Sequence, residues 1–231
     1  MKFFLLFIIF SLQFTFAQTD SILVDDFSDF LNVSADFYTS PLRFDSEDWI
    51  KISAVLGITA VASIADKEVR TFSQNNQSNF ADNLFSIDKY YYVEFVGASV
   101  IAFYGYGLIA ENNKIRRLAV KLTEAAFLST SLTLITKTII GRGRPYVQES
   151  QYSFNPFTFD NDYNSLPSGH TTLAFAYSTV MANEVDNVFW KIGWYSLAGL
   201  VGYARIYNNQ HWFSDVLMGA AIGYFSGEFV N

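Results

Sequence analysis

Apolar residues collect into runs near 50–65, 91–110, 118–140, 171–183, 188–204 and 213–230, parted by polar stretches of Asn, Asp, Gly and Ser. Each run exceeds ten residues and none alternates with period two, so helices are predicted and strands are not. The pattern predicts an all-α protein, a compact bundle of about six helices with no internal repeat.

Upstream of the first run, residues 18–48 are polar and acidic, with scattered aromatics at Phe27, Phe30, Phe37 and Tyr38. Ser40-Pro41 breaks the segment, and Ser46-Glu47-Asp48 supplies caps for the helix that follows. At the very start, Lys2 precedes an apolar run from Phe3 to Leu12, and small residues at Thr15 and Ala17 precede Gln18. That is the pattern of a secretory signal; the other reading is a retained anchor, since Phe14 and Phe16 prolong the run. Three parts are expected: a signal peptide over 1–17, a polar periplasmic lead-in over 18–48, and a helical domain over 49–231.

A bilayer crossing needs about 20 mainly apolar residues. The segments 91–110 and 188–207 meet that best, and 50–65 is short for a span. The bundle is therefore expected in the membrane, with a soluble bundle as the alternative. Gly219, Gly223 and Gly227 recur every four residues, a spacing that lets helix backbones approach closely in lipid and in soluble cores alike. The loop bearing Lys114, Arg116 and Arg117 is assigned to the cytoplasm by its charge. With residue 18 outside the cytoplasm, residues 50–65 are then predicted not to cross, lying against the bundle or at the interface.

Composition narrows the function. In 231 residues, 51% are hydrophobic and 16% charged, which excludes a disordered chain. A net charge of −7 with no basic stripe argues against nucleic acid, so any phosphate must be held locally. The absence of cysteine removes disulfides, thiolate metal sites and thiol nucleophiles.

The chain has only two histidines, His170 and His211, each in a polar cluster that interrupts apolar sequence. His211 precedes Asp215 by four residues, the spacing of one helical face, so the carboxylate can orient one ring nitrogen and leave the other as nucleophile or base. Arg205 lies just upstream, a guanidinium able to grip an anion. Pro167-Ser168-Gly169-His170 leads into an apolar helix, so its turn offers backbone amides at a helix N-terminus as an anion cradle, with His170 placed to protonate a departing oxygen. A third cluster, Lys137, Arg142, Arg144 and Pro145, ends the helix before it; taken alone, its cations complement a helix dipole.

Together, Lys137-x6-Arg144-Pro145, Pro167-Ser168-Gly169-His170 and Arg205-x5-His211-x3-Asp215 resemble the three-part signature of the type 2 phosphatidic acid phosphatase superfamily. That superfamily holds membrane lipid phosphate phosphatases, secreted bacterial acid phosphatases, glucose-6-phosphatase-like enzymes and vanadium haloperoxidases. The motifs span residues 137–215, and the helical pattern extends the likeness over about 50–230. One position departs: Ala204 stands where the family commonly has serine, an auxiliary phosphate contact.

The resemblance implies a catalytic set of His211 as nucleophile, His170 as acid and Asp215 as orienting group. It implies Lys137, Arg144, Arg205, Ser168 and Gly169 as phosphate-binding residues. It implies no metal and no cofactor, and a phosphohistidine intermediate. The expected function is hydrolysis of a lipid-linked phosphate monoester or pyrophosphate in the bacterial envelope, at the inner membrane with the site facing the periplasm. The expected partners are a phosphorylated lipid and the membrane, with no nucleic acid and no obligate protein. The alternatives are a soluble periplasmic acid phosphatase, a haloperoxidase, and a catalytically silent lipid-binding or scaffold protein.

Overall fold

The computed structural model describes residues 2–91, 93–147 and 150–231, with side chains from residue 21 onward. In chain order the helices are α1 (Lys2–Thr39), α2 (Ser46–Ala62), α3 (Asp66–Asn75), α4 (Asn79–Phe85), α5 (Val93–Ile109), α6 (Asn113–Ile140), α7 (Gly169–Asn183), α8 (Val188–Tyr207) and α9 (Phe213–Phe229). No strand occurs among the described residues. Every apolar run of the sequence lies in a helix, so the all-α bundle stands. The side chains of residues 1–20 lie outside the described set, and with them those of the expected signal segment.

Helix boundaries follow local chemistry. Asp45 caps α2, its carboxylate accepting from the amides of Glu47 and Asp48 at 2.8 and 3.0 Å. Asn112 caps α6 through the amide of Ile115. Gly141 ends α6 in the left-handed region at φ 58°, where the carbonyl of Asn155 would stand 1.8 Å from an added Cβ. That close approach folds the segment after α6 back over the helix end.

Helix α7 sits at the centre, buried from Thr171 to Ala182 save for Phe175, and packs on α6, α8 and α9. Leu122, Ala125, Leu173, Ala176, Val180 and Val201 form the heart of the core. The glycine spacing of α9 is turned on α7: a Cβ at Gly219 would lie 2.7 Å from the Ser168 carbonyl, and one at Gly223 would lie 2.2 Å from that of Thr172. One at Gly227 would lie 2.6 Å from the Thr179 Cβ. Backbone against backbone, the two helices bring their N-termini side by side, and with them the segments bearing His170 and His211.

Two expectations about the membrane change. Residues 46–75 run as a continuous unit through a 3₁₀ turn at Ser63–Ala65, so this segment and Asn113–Ile140 are long and apolar enough to cross a membrane. Residues 79–89 with 93–109 qualify only as a pair bent by 53°. The segment expected to be too short is thus extended by the polar helix α3, which apolar patterning alone does not reveal. By contrast, Val188–Tyr207 does not qualify, its composition leaning on Trp190, Trp194, Tyr195, Tyr203 and Tyr207, residues typical of membrane interfaces.

Residues 18–39, within the polar lead-in, are helical and packed on α6. Asp26 pairs with Arg116, and Asp29 with Arg117. These pairs sit at the first turn of α6, whereas Lys137 sits in its last turn, and at 1.5 Å per residue the 28-residue helix is about 42 Å long. Residues 26–29 and 114–117 therefore share one end of the bundle, and the motif residues occupy the other.

Candidate active site

The motif end is assembled from helix termini and the loop between α6 and α7. Lys137, in the last turn of α6, donates to the carbonyls of Asn164 and, at 3.4 Å, Ser165. Arg144, beyond the α6 cap, donates to the Asn161 carbonyl at 2.9 Å and the Gln210 side chain at 3.2 Å. Arg205, in the last turn of α8, pairs with the buried carboxylate of Asp88. The amides of Gln210 and His211 return to the Arg205 carbonyl at 3.0 and 3.2 Å, a turn that carries His211 beside the cation.

His211 is buried, and its Nδ1 lies 2.8 Å from the carbonyl oxygen of Ser165. A carbonyl only accepts, so Nδ1 carries the hydrogen and Nε2 is left with its lone pair. Burial first, then the positive charges of Lys137, Arg144 and Arg205, hold the His211 pKa well below the ordinary histidine value. The same causes, burial and then Arg205, Arg144 and Lys137, push His170 down to about 3. Both imidazoles are thus neutral in the anion-free site, facing a convergence of three cations.

Asp215 differs from expectation. Its Oδ2 is 3.7 Å from His211 Nδ1, beyond a hydrogen bond, because α9 begins at Phe213 and His211 lies ahead of it, off the helical face assumed from the spacing. The carboxylate instead accepts from the Trp212 amide at 2.9 Å, the Ser165 hydroxyl at 2.5 Å and Arg142 at 2.6 Å. It reaches the imidazole through Ser165, whose carbonyl does the orienting.

The cradle differs as well. Ser168 caps α7, but its amide donates to the Asp215 carbonyl at 3.0 Å, tying α7 to α9, and its hydroxyl oxygen accepts from Thr171 at 2.9 Å. Gly169 opens α7 and His170 follows in its first turn. The expected residues are brought together at one end of the bundle, with the Ser168 amide already engaged.

The sequence motifs fall where a family comparison places them: residues 118–230 match the family model of the PAP2 superfamily. Over that stretch the chain has the sequence of a PAP2 superfamily protein. Over 85 residues it is 42% identical to a lipid A 1-phosphatase of Porphyromonas gingivalis, covering 36% of this chain and 19% of that protein. Over 94 residues it is 31% identical to a lipid A 1-phosphatase of Rhizobium johnstonii, covering 40% and 38%. The matched region thus spans well under half the length of these curated relatives. Among solved structures, Aquifex aeolicus LpxE superposes with a TM-score of 0.55 at 26% identity, covering 71% of this chain and 93% of that one. A Bacillus subtilis transmembrane PAP2 type phosphatidylglycerolphosphate phosphatase shares the fold at a TM-score of 0.53 and 17% identity, covering 90% and 92%.

Ser165, Arg142, Asp66 and Asp88 are the site residues that sequence reasoning missed or undervalued. Arg142 looked like a dipole-complementing cation, yet its side chain is 3% exposed and bridges Asp66 at 2.7 Å and Asp215 at 2.6 Å. The signal available was its position between Gly141 and Gly143, and at Gly141 the Asn155–Pro156 backbone approaches closely. Asp66 and Asp88 lie upstream of the PAP2 stretch and carry no motif. Among the described residues, no group of three or more His, Cys, Asp or Glu is arranged to hold a metal ion.

Proposed function

We propose that this PAP2 protein is a phosphatase that removes phosphate from a lipid, with the 1-phosphate of a lipid A-type glycolipid as its first candidate substrate. The observation that carries the reading is the convergence of Lys137, Arg144, Arg205 and His170 on a His211 whose Nδ1–H is fixed by a carbonyl. A phosphate dianion drawn to the three cations places phosphorus within reach of Nε2. The Nε2 lone pair forms the N–P bond as the bond from phosphorus to the lipid oxygen breaks. His170 gives its proton to that oxygen. Water then attacks phosphorus, loses a proton to His170 and releases phosphate, restoring His211. His170 is neutral in the anion-free site, and the incoming dianion favours its charged form, so the acid is armed by substrate.

Charge neutralisation by three side-chain cations supports a mechanism that runs without a metal ion. Support for a lipid comes from the curated relatives and from an apolar cleft of about 780 Å³ between α1, α2, α6 and α9. Its lining at Ile135 and Met218 lies within a helical turn of Lys137 and Asp215.

Phosphate release by the purified chain from a lipid A 1-phosphate, phosphatidylglycerol phosphate and undecaprenyl pyrophosphate tests the reading. The lipid A substrate is expected to be preferred, with turnover unchanged in EDTA and inhibited by vanadate. Activity lost in EDTA and restored by Mg²⁺ would reject the metal-free mechanism, and release from none of the three lipids would reject the substrate class.

The positive charge of Lys114, Arg116 and Arg117 supports placing their end of the bundle in the cytoplasm and the site in the periplasm. Residues 26–29 then lie on the cytoplasmic side. The native chain lacks cysteine, so single Ser28→Cys, Asn113→Cys and Asn161→Cys variants report cleanly. In cells with a permeabilised outer membrane, a maleimide that cannot cross the inner membrane is expected to label position 161 alone. Labelling of 28 together with 161 would contradict the shared end, and labelling of 28 and 113 without 161 would invert the orientation.

A further inference from the structure

We propose that Asp66 is a positioning residue for the reaction at His211, acting through Arg142, Asp215 and Ser165. The inference rests on the phosphatase reading above and extends the site into α3, upstream of the PAP2 stretch.

Asp66 is fully buried at the junction of α2 and α3, and both its oxygens are engaged. Oδ1 accepts from the Ser214 amide at 2.8 Å, in the first turn of α9. Oδ2 accepts from the Ser214 hydroxyl and from Arg142 Nη2, each at 2.7 Å. Arg142 is a planar fork, so fixing Nη2 on Asp66 fixes where Nη1 points, and Nη1 meets Asp215 Oδ1 at 2.6 Å. The other Asp215 oxygen accepts from the Ser165 hydroxyl at 2.5 Å, and the Ser165 carbonyl meets His211 Nδ1 at 2.8 Å. Four contacts, each within hydrogen-bond distance and each buried, lead from α3 to the nucleophile.

Arg142 also donates to the Gln151 carbonyl at 2.7 and 3.0 Å, which leaves its remaining donors to the two carboxylates and the Ser214 hydroxyl. Without the Asp66 carboxylate the guanidinium keeps the Gln151 carbonyl and Ser214 hydroxyl but loses the charged partner opposite Asp215, so its angle to Asp215 relaxes and the Ser165 hydroxyl and carbonyl move with it. A displaced carbonyl misdirects Nε2 relative to phosphorus, and small misplacements of a reacting atom are costly to rate. Arg144 and Arg205 have other anchors and are untouched by this change, and Lys137 keeps its bond to the Asn164 carbonyl.

The test is a double-mutant cycle on the full chain in detergent micelles, with 4-nitrophenyl phosphate as the probe. Asp66→Asn keeps the shape and is expected to lower kcat about 10- to 100-fold, the range seen when partners that orient functional histidines are removed. KM should stay within about threefold, as expected for an interaction that matters to the transition state alone. Ser165→Ala cuts the relay downstream, so adding Asp66→Asn to it should change kcat by no more than about threefold. A merely structural Asp66 would give losses that multiply, and that result, or a wild-type kcat for Asp66→Asn, would overturn the proposal. If Asp66→Asn does not fold, Ser214→Ala enters the same cycle in its place, because it loosens Asp66 and Arg142 while leaving every charge, and it is held to the same outcomes. A wild-type chain that fails to hydrolyse either the probe or the lipid panel would refute the phosphatase reading itself, and this inference with it.

Discussion

His211→Ala is expected to abolish turnover, by about 10⁴-fold or more, the scale on which removal of a nucleophile is felt. The side chain is buried against the Ser165 carbonyl, with Nδ1–H directed to that oxygen and Nε2 as the remaining lone pair. Burial first, and then the charges of Lys137, Arg144 and Arg205, keep the imidazole neutral, and a neutral ring is the reactive one. An alanine leaves the phosphate-binding cations in place but offers phosphorus nothing to bond. Phosphohistidine survives alkali and is lost in acid, so the measurement is alkali-stable, acid-labile ³²P on the wild-type chain after a brief reaction. The variant should carry none. Equal labelling of wild type and variant would transfer the nucleophile's role to another residue.

Gly223→Ala should damage the α7–α9 contact severely. An added Cβ would sit 2.2 Å from the Thr172 carbonyl and 2.9 Å from the Ala176 amide, backbone atoms that no rotamer change can move aside. Helix α7 must shift bodily, at a cost of about 1–3 kcal/mol for overpacking. His170 lies in the first turn of that helix, so the shift should reach the site and lower activity along with stability. Gly193→Ala on α8 is the matched control, because a Cβ there meets nothing within 4 Å and alanine favours a helix by about 0.5–1 kcal/mol. Recovery of monodisperse protein after a temperature series should fall for Gly223→Ala and hold or rise for Gly193→Ala. Equal melting of the two variants would mean that α7 and α9 do not depend on this contact.

Much of this was legible in the sequence, for identifiable reasons. Apolar runs longer than ten residues gave α2 and α5 through α9, since burying or embedding such lengths requires helix. The Ser40-Pro41 break falls where α1 gives way to a 3₁₀ turn over Ser40–Arg43. The polar helix α3 was invisible to apolar patterning: its buried residues are Asp66 and Ser73, and Asp66 is held by Arg142 and Ser214, partners far along the chain. For the same reason the lead-in showed only as a polar, acidic stretch, because Asp26 and Asp29 find their reason in Arg116 and Arg117. At the site, the motifs located the cations and both histidines. They could not say that Asp215 reaches His211 through Ser165, because spacing along a helix supposes that both residues lie in it, and His211 precedes α9.

The Ser165 carbonyl has two suitors. His211 Nδ1 stands 2.8 Å away and Lys137 Nζ 3.4 Å away, and the ammonium is also the group that an incoming phosphate would draw toward itself. When an anion takes the ammonium, the carbonyl's electron density is left to the imidazole alone, and the hydrogen bond that aims Nε2 strengthens. On the proposed mechanism, loading the site and aligning its nucleophile would be one event, the pocket more nearly in register full than empty.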